Sequence, residues 1–224
     1  MRTGKGNHSY EWIENWGKIP ETLSGRSNGR THGVVVSRSG NVLVFHQANP
    51  AVIVFDADGK CLDAWGERFL GAHGMTLVEE NGKEYLWLTD QDSAEVCKMT
   101  LDGKKKMSIA QPDHAVYKKG KYVPTWVAVN EERFGGNGDV WVADGYGMSY
   151  VHRFDRSGHY KASINGEEGK AGAFTCQHGL WFDYRKGNPE LYIADRGNRR
   201  FQVYEGEGNF KRTFGADILT SPCG

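Results

Sequence analysis

His-Gly dipeptides open three apolar runs in this chain, at His32-Gly33, His73-Gly74 and His178-Gly179, and Pro124-Thr125 opens a fourth run of the same kind. Neutral imidazoles bind divalent metal ions, and three of them around an open fourth position make a catalytic zinc arrangement. A second reading stays open, in which His-Gly is a loop signature, the histidine capping a turn and the glycine permitting positive φ. Other chemistries find no support. Cys61, Cys97, Cys176 and Cys223 form no CxxC pair and have no histidine at zinc-finger spacing, so they read as free thiols. The sequence has neither a Ser-His-Asp order nor a phosphate-binding loop. Chemistry here depends on whether the runs behind the histidines bring them together.

Those runs belong to a repeat. His32 to His73 is 41 residues, His73 to Thr125 is 52, and Thr125 to His178 is 53. In each unit a second apolar run ends at a fixed slot, filled by Asp90 in LWLTD, Asp144 in VWVAD, Asp195 in LYIAD and His46 in VLVFH. A third run ends at a glycine turn (FDADG, TLDG, FDRSG, YEGEG), and a fourth run follows. β-Branched and aromatic residues alternate with turn residues throughout, which specifies strands rather than helices. Four short strands per unit make a propeller blade. The expected fold is all-β, with blades at 32–72, 73–123, 124–177 and 178–216 behind an N-terminal segment, 1–31. Trp87, Trp141 and Tyr192 share one register and are expected to pack between blades. Asp90, Asp144 and Asp195 are expected to cap turns.

Composition excludes some partners. Lys and Arg total 28 and Asp and Glu total 28, so the basic excess that nucleic acid or an anionic membrane surface requires is missing. No apolar run approaches the roughly 20 residues of a membrane helix, and Met1-Arg-Thr-Gly lacks the apolar stretch of a secretory signal. A soluble protein is expected, of undetermined compartment.

The HG-plus-apolar strand, the apolar-apolar-Asp strand and ADRGNRRFQVY together resemble NHL-repeat β-propellers, over residues 32–216. That resemblance implies a ring of six blades, of which four are present, so the chain is expected to be a truncated, open ring with 217–224 starting a missing blade. YEWIENWGKIP resembles the strand that closes the circle in such rings. The loop before each innermost strand faces the channel mouth, and alternate blades of a six-bladed ring lie about 120° apart. His73 and His178 therefore fall in one threefold set, its third member beyond the C-terminus; His32 lies off that set. Among NHL propellers the motifs are most similar to peptidyl-α-hydroxyglycine α-amidating lyases. The resemblance implies zinc at His73 and His178, a catalytic tyrosine at Tyr146 in ADGY, and a substrate-binding arginine at Arg196 in ADR. It also implies a structural calcium. The chain departs from the lyases at FHQAN, where Gln47 stands in place of an arginine, and a neutral amide cannot stabilise developing negative charge as a guanidinium does. Two functions follow as expectations: a zinc-dependent lyase, or a non-catalytic propeller that binds a peptide, small ligand or protein on one face.

Overall fold

A computed structural model describes residues 1–19 and 30–223. The fold is all-β, built of four four-stranded antiparallel meanders. The first blade comprises β3 (Thr31–Val36), β4 (Val42–His46), β5 (Val52–Phe55) and β6 (Cys61–Trp65). The second comprises β7 (Ala72–Glu80), β8 (Lys83–Asp90), β9 (Glu95–Thr100) and β10 (Lys105–Ile109). The third comprises β11 (Trp126–Val129), β12 (Val140–Ala143), β13 (Val151–Phe154) and β14 (Tyr160–Ile164). The fourth comprises β15 (Gln177–Asp183), β16 (Glu190–Asp195), β17 (Arg200–Glu205) and β18 (Phe210–Phe214). The innermost strands β3, β7, β11 and β15 touch in that order, as blades around an axis do. Among the described residues no helix is long and apolar enough to cross a membrane.

Three apolar clusters hold the blades together, one per interface. Leu43, Phe45 and Val52 of the first blade meet Met75, Leu86 and Leu88 of the second. Trp87 and Val96 of the second meet Val127, Val140 and Val142 of the third. Trp141 and Ala143 of the third meet Leu180, Leu191 and Ile193 of the fourth. Alternation on a strand sends successive side chains to opposite faces, so each sheet fills the interface before it and the one after it. The shared register holds: Trp87, Trp141 and Tyr192 pair with Thr76, Ala128 and Trp181 respectively. Trp87 and Trp141 are fully buried between blades. Tyr192 lies on the outer face of the fourth blade, beside a Trp181 that is 65% exposed.

The capping aspartates do more than close their own turns. Asp90 accepts from the backbone N–H of Asp92 and Ser93 through Oδ1 and from Gly71 through Oδ2. Asp144 accepts from Val123 and Met148, and Asp195 from Thr175 and Asn198. Each carboxylate thus ties the turn after the second strand to the segment entering the first. His46, in the same slot of blade one, makes a local contact instead, from Nε2 to the Pro50 carbonyl.

At the N-terminus, β1 (Arg2–Lys5) and β2 (His8–Glu11) form an exposed hairpin. Trp16 then rests on Phe55 with ring centroids 5.6 Å apart, and Lys18 bridges to Lys60 of the first blade. Of the expected closing strand, residues 10–20, Pro20 lies outside the described residues, as do residues 21–29 of the N-terminal segment.

Candidate metal centre

Each histidine of the three His-Gly dipeptides sits at an irregularity in an innermost strand. The register slips between Thr31 and Gly33, between Ala72 and Met75, and between Gln177 and Leu180. A bulge breaks the pleat and re-aims the side chain it carries. It turns His32, His73 and His178 to a common centre, where their ligand atoms all lie within 4.8 Å of one another. Ring centroids are 4.3 Å apart for His32 and His73, 4.6 Å for His73 and His178, and 6.3 Å for His32 and His178. His32, off the threefold set by blade position, thus lies beside the other two rings. Equal angular steps describe where the blades lie, but an imidazole reaches across a narrow channel, and the first and second blades are neighbours.

Gly74 has a role other than positive φ. A Cβ on Gly74 would lie 2.7 Å from the Thr125 carbonyl oxygen and 2.8 Å from Trp126 Cα, so the next blade's inner strand approaches too closely for any side chain. That close approach carries the chemistry. His73 Nδ1 lies 2.7 Å from the Thr125 carbonyl, and His178 Nδ1 lies 3.1 Å from the Cys223 carbonyl. A carbonyl only accepts, so both Nδ1 atoms carry the proton and both Nε2 atoms present a lone pair. The Thr125 oxygen also accepts from Thr89 Oγ1, which fixes it in place.

Blade three contributes no histidine at this level but supplies Tyr146 from the turn after β12. Its hydroxyl lies 3.0 Å from His178 Nε2 and 3.2 Å from His73 Nε2. Arg196 Nη2 donates to the same hydroxyl at 3.4 Å and to Cys176 Sγ at 2.9 Å, with its guanidinium 5.4 Å above the Tyr146 ring centroid. Of the four residues singled out in the sequence, His73, His178 and Arg196 thus all meet the Tyr146 hydroxyl. Gln47 lies at the entry of blade one, its backbone N–H donating to the Arg30 carbonyl.

Burial sets the charge state. His73 is pushed down to about 3, first by burial and then by the neighbouring His32 and His178 rings. His178 is lowered chiefly by burial, against the partial support of the Cys223 carbonyl. His32 is lowered by burial and by the Arg30 and Arg196 charges. Three neutral imidazoles with converging lone pairs are a donor set that suits zinc. Among the described residues theirs is the one group of three or more metal-capable side chains gathered in this way. All four cysteines are free thiols.

Reading the sequence missed two contributors. Cys176, which steadies Arg196, and the Thr125 carbonyl, which sets the His73 tautomer, left no sequence signal, because both act through contacts between blades.

No family model matches the chain. It is 28% identical over 208 residues to a probable peptidyl-α-hydroxyglycine α-amidating lyase of Caenorhabditis elegans, covering 79% of this chain and 55% of that protein. It is 27% identical over 206 residues to human NHL repeat-containing protein 3, covering 85% of this chain and 55% of that one. The chain spans about half the length of these relatives. Among solved structures, virginiamycin B lyase from Staphylococcus aureus superposes with a TM-score of 0.63 at 14% identity, over 90% of this chain and 61% of that one. The chain is an open-ended run of four β-propeller blades, similar in sequence to NHL-repeat proteins and peptidyl-α-hydroxyglycine α-amidating lyases.

Proposed function

We propose that this propeller is a zinc-dependent lyase of the α-amidating type, with His73 and His178 as metal ligands, Tyr146 as the base and Arg196 as the substrate anchor. One observation carries the reading: two Nε2 lone pairs and a guanidinium converge on a single tyrosine hydroxyl at the channel mouth. The substrate class comes from the relatives, as a peptide ending in α-hydroxyglycine whose N–C bond is broken to leave a peptide amide and glyoxylate. Bound zinc would supply Lewis acidity toward the substrate hydroxyl. Tyr146, beside the Arg196 cation, is the base that takes the proton of that hydroxyl. The electrons of the O–H bond become the second bond of the glyoxylate carbonyl, the C–N bond breaks, and the leaving amide nitrogen takes up the proton that Tyr146 removed. Arg196 can pair its remaining N–H groups with the substrate carboxylate. Calcium is assigned to no residue in this reading.

Gln47 favours a second reading. Without a guanidinium at that point, the mouth can bind a peptide, a small ligand or a protein without turning it over. The discriminating experiment follows glyoxylate released from an α-hydroxyglycine peptide by the zinc-loaded chain. Release that falls about 10²–10⁴-fold in Tyr146→Phe is expected. No release from the unaltered chain, with the peptide still bound, establishes the binding reading instead.

A further inference from the structure

We infer that His32 of the first blade is the third metal ligand, so that blades one, two and four each supply one imidazole and blade three supplies Tyr146 to the open side. This inference rests on the metal site proposed above and adds a residue that lies off its threefold set.

Three independent features of the structure support it. The first is backbone placement, since His32 occupies a bulge of β3 equivalent to the bulges that carry His73 in β7 and His178 in β15. Bulges that leave a residue unpaired serve to re-aim side chains. The second is proximity. The His32 ring is stacked on His73 at 4.3 Å with 26° between planes, and the ligand atoms of all three rings lie within 4.8 Å. Around a tetrahedral zinc with Zn–N distances of about 2.0–2.1 Å, ligand nitrogens stand about 3.3 Å apart, so side-chain movements of about 1 Å bring the set to coordination distance. The third is an unmet need. His32 Nε2 is buried with no hydrogen-bond partner in the described structure. A buried polar atom left unpaired costs free energy that a metal bond would recover.

The alternative is that His32 only packs. Stacking on His73 would satisfy its ring faces, yet it leaves Nε2 without a partner in a site where the other two Nε2 atoms both meet Tyr146. One hydroxyl proton cannot serve several lone pairs, and a cation can.

The test is zinc titration, by competition with a chromophoric chelator, of the unaltered chain and of His32→Ala, His73→Ala and His178→Ala, with far-UV dichroism on each. Each alanine variant is expected to weaken zinc binding by at least about tenfold, and the His32 variant by as much as the other two. Loss in His73→Ala and His178→Ala with binding in His32→Ala within about twofold of the unaltered chain overturns this inference and leaves the two-histidine site standing. Unchanged binding in all three overturns both. If His32→Ala loses its β-sheet spectrum, His32→Asn retains a polar side chain of similar reach and gives the same comparison.

Discussion

Gly145 precedes Tyr146, and its replacement is the sharpest mechanical test of how the blades set the site. A Cβ at Gly145 would lie 1.8 Å from the Gln177 carbonyl oxygen, with the Gln177 carbonyl carbon and Thr125 Oγ1 each at 2.8 Å. The nearest atom is backbone of β15, and no side-chain rotation relieves it. Gly145→Ala must therefore drive the inner strands of blades three and four apart by about 1 Å or strain the turn that carries Tyr146. Overpacking of this kind costs about 1–3 kcal/mol. The displaced parts are functional ones: Gln177 adjoins His178, and Thr125 Oγ1 donates to the Gln177 carbonyl at 2.8 Å. Urea unfolding should show the midpoint falling with little change in slope, and zinc titration should show weaker binding in the same variant. A midpoint and a zinc affinity both equal to those of the unaltered chain would refute the claim that inter-blade approach at Gly145 positions Tyr146 and His178.

Two further outcomes follow from the third blade. His152 is fully buried between Ser163 Oγ at 2.7 Å and Tyr117 Oη at 2.5 Å, and burial, with the His114 ring adding, pushes it down to about 3. The native state thus holds it neutral while the unfolded chain protonates it near 6.5, so this contribution to stability is complete above that value and is lost as pH falls from 6.5 toward 3. His152→Gln, which cannot titrate, should narrow its stability gap to the unaltered chain by about 1.4 kcal/mol between pH 7.5 and 5.5, measured by urea unfolding at each pH; a constant gap would show that His152 is not the titrating group. Trp141→Ala should cost about 3–5 kcal/mol, because it empties the interface between blades three and four, and a loss below about 1 kcal/mol would mean that this interface carries little of the stability.

The fold was legible because a propeller repeats its signals. Apolar runs ending at Asp90, Asp144 and Asp195 mark a strand that must stop where a carboxylate can accept backbone N–H groups, and all three do so. Trp87 and Trp141 stood in one register because each blade needs bulk at the same depth, and both are buried there. Of the site, His73, His178, Tyr146 and Arg196 were legible through motif resemblance, and they do meet. His32 lay off the threefold set by an argument from ring symmetry that treats side chains as points on a circle. Bulge geometry and the reach of an imidazole bring its ring beside the other two, and neither is written in the repeat spacing. The Ser163–His152–Tyr117–Asp144 chain was not legible either, since it joins β13, β14, a 3₁₀ turn and the capping aspartate through contacts distant in sequence.

Zinc K-edge X-ray absorption of the metal-loaded chain tests the central claim most directly, because it reports the atoms that surround the ion. Three imidazole nitrogens at about 2.0–2.1 Å, with their characteristic outer-ring scattering and a remaining light-atom ligand, are the predicted shell. A shell containing sulfur at about 2.3 Å, or oxygen atoms alone, would contradict it and place the metal elsewhere on the protein.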